Sequence, residues 1–80
     1  MSRWQRAQNE KQFDSWLDLA DGGRIYEKIV PGKHGWLAIY YKQVNAIENT
    51  VRFWQEIKDQ EGNLREIHEK YPIDKGHIKL

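Results

Sequence analysis

Cysteine is absent from this sequence, which excludes disulfides and thiolate metal sites. Long apolar runs are absent too, and no stretch approaches the roughly 18 apolar residues of a membrane helix. The first twenty residues, MSRWQRAQNEKQFDSWLDLA, hold no apolar segment of the kind a secretory leader needs. A cytoplasmic protein with no membrane partner is the expectation. Charge of one sign is also scarce: the net charge is +1, too small to argue for nucleic acid by itself. No phosphate-binding glycine loop, dinucleotide fingerprint or nucleophile elbow occurs. His34, His68 and His77 lie far apart, and none has a second ligand at helical spacing, so neither metal nor cofactor is expected.

What is present is aromatic and mixed in charge. Four Trp, four Tyr and two Phe occur in 80 residues, and 31% of the chain is Asp, Glu, Lys or Arg. Length sets the scale at one small domain, 1–80. Residues 2–20 read as a helix, because Phe13, Trp16, Leu17 and Ala20 repeat at i, i+3, i+4, i+7. Ser2 or Asn9 can cap it, and Asp21-Gly22-Gly23 ends it. Four strands follow: Arg24 to Val30, Trp36 to Val44, Thr50 to Lys58, and Asn63 to Tyr71. Pro31 to Gly35, Asn45 to Asn49 and Asp59 to Gly62 connect them, and short links favour an antiparallel meander. Pro72 stops ladder pairing, and residues 72–80 read as a basic tail in which Asp74 and His77 are solvated. The expected fold is two-layer α+β, one N-terminal helix packed on a four-stranded antiparallel meander.

Placing Gly62 at the left-handed position of the last hairpin sets Trp54 opposite Ile67, Phe53 opposite His68 and Arg52 opposite Glu69. Val44 then faces Thr50, and Val30 faces Trp36. One face carries Ile25, Ile29, Leu37, Ile39, Tyr41, Val51, Phe53, Ile57 and Leu64, and the helix is expected on it. The other carries a row of Tyr26, Tyr40, Trp54 and Ile67, flanked by Lys28, Lys42, Arg52, Glu56, Arg65 and Glu69.

Two features suggest chemistry. Glu66 and His68 alternate on one strand, so they share a face about 7 Å apart. Tyr41, Gln55 and Lys70 are expected beside them. A carboxylate, an imidazole and a phenol can move protons, and phosphoryl transfer in RNA needs that chemistry plus a cation for phosphate. Glu66 and His68 are the candidate acid and base, Tyr41 and Gln55 position, and Lys70 holds phosphate. Alternatively, Glu66 and His68 bond only each other at the wet end of a wide sheet. The second feature is the row of Tyr26, Tyr40, Trp54 and Ile67 with Arg52, which suits base stacking on RNA. Because Arg52–Glu69 and Glu56–Arg65 neutralise it, the row also suits a protein partner or a second copy.

From Asp21 to His77 the layout resembles the TumE-like toxins of prokaryotic toxin–antitoxin pairs. The pieces that carry the resemblance are DGGRIYEKIV, GWLAIYYKQV, VRFWQEIKDQEGNLREIHEK and DKGHIKL. Ile67-His68-Glu69 stands where that family has an aromatic-Asp-Asn motif, and His77-Ile78-Lys79 where it tends to have His-x-His. The resemblance implies a small toxin acting on RNA, with an antitoxin as partner.

Overall fold

The computed structural model describes residues 2–80; the Ser2 side chain, and with it the cap expected of it, lies outside the described residues. One helix, α1 (Ser2–Gln12), precedes six strands. These are β1 (Ser15–Asp18), β2 (Arg24–Pro31), β3 (Leu37–Val44), β4 (Thr50–Lys58), β5 (Leu64–Tyr71) and β6 (Gly76–Lys79). They form one antiparallel meander in chain order. The class remains one helix with an antiparallel sheet, but the four-stranded expectation is corrected to six strands, with one more at each edge.

The added strand at the N-terminal edge comes from shortening the helix. Arg, Gln, Ala, Glu and Lys favour helix through Gln12. Beyond it, Asp14 N–H donates to the Glu27 carbonyl and Asp14 Oδ2 accepts from Ile29 N–H, 2.8 and 2.9 Å. These bonds peel residues 15–18 onto β2, with Trp16 opposite Tyr26 and Asp18 opposite Arg24. Phe13, Trp16 and Leu17 fit helical spacing, but backbone pairing with β2 outweighs that local periodicity. Asp21-Gly22-Gly23 is therefore a hairpin turn, not a helix stop. Gly22 sits at φ +87°, and a Cβ on Gly23 would lie 2.4 Å from the Val44 carbonyl oxygen. At the other edge, Asp74 Oδ1 accepts the Gly76 N–H at 2.9 Å. That turn returns the expected tail to the sheet as β6, with His77 opposite His68 and Ile78 opposite Ile67.

The helix lies on the face opposite to the expected one. Phe13 packs on Tyr26 with ring centroids 5.5 Å apart. Asn9 Oδ1 accepts from Lys42 Nζ at 2.9 Å, and Tyr26 is fully buried. The cause is a bulge. Val44 pairs with Thr50 as expected, but Gln43 pairs with Arg52, leaving Val51 unpaired. One extra residue turns the whole of β4 over relative to β3. Within each hairpin the expected faces hold, because Val30 pairs with Ala38 and Trp54 with Glu69, each two residues from expectation. The two halves of the sheet are joined the other way up. Tyr26, Tyr40, Phe53, Gln55, Glu66 and His68 share the helix-bearing face. Ile25, Ile39, Tyr41, Trp54 and Ile67 share the other.

The β3–β4 loop fixes the helix. Asn45 Oδ1 accepts from the backbone N–H groups of Ile47 and Asn49, and Glu48 takes φ +67°. This aims the buried Glu48 carboxylate under α1. There it accepts from Arg6 Nε, Asn9 Nδ2 and the Tyr26 hydroxyl at 2.9, 2.9 and 2.8 Å. Burial pushes this carboxyl up, but the three donors and the Arg6 charge outweigh burial and hold it below the usual carboxylate range. Charged hydrogen bonds do here what an apolar stripe does for most surface helices, since Trp4 is exposed.

Candidate functional site

Past the end of the helix, the same face is uncovered. A single cross-strand row runs over it: Lys28, Tyr40, Gln55, His68 and His77 are successive partners on β2 to β6. Antiparallel neighbours lie about 4.7–4.9 Å apart, so the row spans about 19 Å.

Two imidazoles meet at one end of this row. The His68 and His77 ring centroids are 4.5 Å apart, tilted by 51°. Each imidazole has its own carboxylate. His68 Nε2 is 2.6 Å from Asp74 Oδ1, and His77 Nδ1 is 3.2 Å from Glu66 Oε1. A carboxylate only accepts, so the hydrogen bond of His68 favours a proton on its Nε2, while the His77–Glu66 contact is close without being a hydrogen bond. The bond from Gly76 N–H, then that from His68, holds the Asp74 carboxyl below its ordinary range. The two rings differ in access, with side-chain exposures of 15% for His68 and 47% for His77. His68 Nδ1 is enclosed and has no hydrogen-bond partner, the one such buried side-chain atom among the described residues. On His77, the more exposed of the two rings, it is Nδ1 that contacts Glu66, leaving Nε2 clear of that carboxylate.

Gln55, buried in the middle of the row, donates from Nε2 to the Tyr40 hydroxyl at 3.1 Å. Tyr40 lies beside Phe53, rings 6.4 Å apart and 23° from parallel. Lys70, bulged out of β5 between Glu69 and Tyr71, places Nζ 5.1 Å from the Tyr40 ring centre and 5.8 Å from that of Phe53.

Of the residues assigned to acid–base work from sequence, Glu66, His68, Gln55 and Lys70 therefore share a face. Tyr41 does not: it lies on the reverse face, stacked on Trp54 at 5.0 Å. There burial, then the negative charges of Glu56 and Glu27, pushes its hydroxyl up. Glu66 and His68 do not bond each other; each contacts a residue of the C-terminal segment instead. The expected contact row of Tyr26, Tyr40, Trp54 and Ile67 is split between the faces by the bulge. Tyr26 is sealed under α1. Trp54 is 8% exposed, sandwiched between Tyr41 and the Arg52 guanidinium, whose carbon stands 3.9 Å from the ring centre. Arg52 is in turn paired with Glu69. Ile67 is half-buried on that same reverse face. Arg65 contacts Asp59 at 3.7 Å in place of the expected Glu56.

The sequence reading passed over His77 and Asp74 as partners because it treated residues 72–80 as a tail. A signal was there: Asp74-Lys75-Gly76 is turn chemistry, and His77-Ile78-Lys79 alternates as a strand does. Among the described residues, no three His, Asp or Glu side chains converge as a metal-holding group. No helix among them is long and apolar enough to cross a membrane. No family model, curated protein or solved structure matches the chain.

Proposed function

We propose that the protein cleaves RNA by metal-independent general acid–base chemistry, with His77 as the proton carrier. The observation that supports this is the His68–His77 pair, each imidazole facing its own carboxylate on an open sheet face. RNA suits such a site because the substrate brings its own nucleophile, the 2′-hydroxyl. The protein then needs to move one proton and steady charge. His77 Nε2 takes the 2′-hydroxyl proton, and the freed oxygen attacks phosphorus. The bond from phosphorus to the 5′-oxygen breaks, leaving a 2′,3′-cyclic phosphate. The imidazolium returns the proton to the departing 5′-oxygen. Glu66 stabilises that imidazolium, while His68, held by Asp74, packs against the ring and fixes its place. Lys79, two residues along β6 on the same face, supplies a cation for phosphate.

The expected outcome is cleavage of a single-stranded RNA to cyclic-phosphate and 5′-hydroxyl ends, with no cleavage of the matching DNA. His77→Ala should lower the rate at least 100-fold, the usual scale of a lost proton-transfer group. Glu66→Gln should lower it less, because Nε2 remains. An inactive wild type, or a fully active His77→Ala, sinks the reading. In the toxin setting that the layout implies, expression would arrest growth and the same variant would relieve it.

Self-association is the second reading, and the reverse face favours it. Leu17, Ile29 and Ile78 are exposed there with nothing over them. Sedimentation would decide it, a strict monomer at high concentration removing the reading.

A further inference from the structure

The helix-bearing face carries a second feature beside the histidines, and it bears on what the site takes. Two clefts of about 730 and 420 Å³ adjoin along the end of α1, both lined by Gln12, Phe13 and Phe53. Each is within the size range of ligand pockets. Lys42, Asn49, Thr50 and Tyr71 complete the first, Lys28, Val30 and Tyr40 the second. The two floor rings, Tyr40 and Phe53, lie 23° from parallel with centroids 6.4 Å apart, a stacked aromatic pair at the floor of the clefts. Lys28, Lys42 and Lys70 surround it.

Charge on this face is uneven in a way that matters. Of the nearby carboxylates, Glu48 is paired with Arg6, and Glu10 and Asp18 with Arg24, while Glu66 and Asp74 contact the imidazoles of His77 and His68, and Asp74 also feels the charge of Lys70. Among the described residues, none of Lys28, Lys42 and Lys70 is in an ion pair. Lys42 bonds only the neutral Asn9 side chain, and Lys70 sits over the rings. The reverse face is unlike this, because the cation over its Trp54 ring, Arg52, is itself paired with Glu69, whereas Lys70 over Tyr40 and Phe53 is in no ion pair. Aromatic surface ringed by cations that no ion pair consumes fits an occupant with flat π-faces and regularly spaced negative charge.

We infer that the Tyr40–Phe53 platform is a stacking site for the unpaired bases of single-stranded RNA, with Lys28, Lys42 and Lys70 on its phosphates. The inference rests on the cleavage reading for its substrate and adds that the substrate must be unpaired. A duplex hides its base faces, whereas a single strand can lay them on the rings. The row from Lys28 through Tyr40 and Gln55 to His68 and His77 then carries the strand from platform to histidines, so that cleavage falls beside the stacked bases.

The test measures binding without cleavage. The probe is a fluorescent 2′-O-methyl RNA of about eight nucleotides, within the usual span of a single-strand groove; its blocked 2′-oxygen cannot attack. The single strand should bind at least tenfold more tightly than the same sequence as a duplex. Phe53→Leu should weaken binding about tenfold, as loss of one stacked base does. Lys28→Ala and Lys70→Ala should each lessen the slope of log affinity on log salt by about 0.7. Lys28 is exposed, so its variant reports even where Phe53→Leu fails to fold. Equal binding of duplex, equal competition by polyglutamate, or unchanged binding and slope in Lys28→Ala overturns the inference. Binding with the predicted dependence but no cleavage of unmodified RNA upholds the platform and removes the nuclease. Cleavage with variants that bind as wild type does the reverse.

Discussion

The helix-bearing face has two ends built from the same strands on opposite plans. At the covered end the buried or half-buried charges Glu48 and Arg24 are answered by several partners. Glu48 receives three donors, and Arg24 is held between Asp18 and Glu10. At the open end, one histidine nitrogen is enclosed without a partner, a second imidazole faces solvent, and Lys70 stands over the Tyr40 and Phe53 rings. Cover is the difference. Under α1 an unmet polar group would cost about 1–3 kcal/mol, so each is met. Beyond α1 water can satisfy exposed groups such as His77 while the enclosed His68 Nδ1 goes unmet, and groups can be placed for a ligand. The contrast teaches where to look for function on a small sheet: where polar groups are arranged but not consumed.

The most drastic way to break the contrast is to delete Val51. This residue is the bulge that turns β4 over relative to β3. Without it, Trp54 and Ile67 would turn to the helix side, and Phe53, Gln55 and His68 to the reverse. Neither end would keep its partners. The expected outcome is loss of the cooperative unfolding transition in urea, the largest effect of any single change considered. A deletion variant that still unfolds cooperatively, with unchanged near-ultraviolet dichroism, would show that the bulge does not assign the faces.

That bulge also marks how far the sequence could be read. Strand positions within each hairpin were legible, because β-branched and aromatic residues and the Gly62 turn define them locally. Gly62 does take φ +84°. The Glu66, His68, Gln55 and Lys70 grouping lies within one hairpin and was legible for the same reason. What joins the hairpins was not. Nothing in Asn49-Thr50-Val51-Arg52 distinguishes a regular ladder from one with an extra residue, yet parity across that joint decides which aromatics meet the helix. The edges failed differently. Residues 15–18 and 76–79 are four-residue strands whose stability comes from pairing with β2 and β5, a non-local term that periodicity does not contain. Losing β6 from the sequence reading removed Asp74 and His77 from the site.

A smaller but still large effect is expected from opening the covered end. Glu48→Ala leaves Arg6, Asn9 and the Tyr26 hydroxyl without their acceptor. The expected loss is about 3 kcal/mol, the scale for removing one partner of a buried charged network. The same carboxylate gives a pH signature. Its folded-state pKa lies below the ordinary value, so the unfolded chain binds the proton more readily. Its contribution is full above the ordinary glutamate value, about 4.3, and is lost as pH falls through the lower folded value. Wild type should hold its urea midpoint from neutrality down to roughly pH 5 and then lose stability. Glu48→Gln should show a shallower fall. If the two profiles run parallel, Glu48 is not the group that ties α1 to the sheet.

The smallest effect is expected from the matching change at the open end, His68→Leu. The imidazole leaves one nitrogen enclosed without a partner, so removing it relieves a desolvation cost. Asp74 loses a donor, but it is exposed and keeps the Gly76 N–H. Leucine also fills most of the space of the ring. The stability change should therefore stay within about 1 kcal/mol of zero, since a buried polar group replaced by an apolar one of similar shape is nearly neutral. Cleavage should fall all the same, because His77 loses the ring that it packs against. A loss of more than about 2 kcal/mol would place His68 with Glu48, as a group that the fold consumes. Near-neutral stability with impaired cleavage would instead mark the open end as a region that the fold tolerates and the function requires, which is the usual pattern where stability has been exchanged for activity.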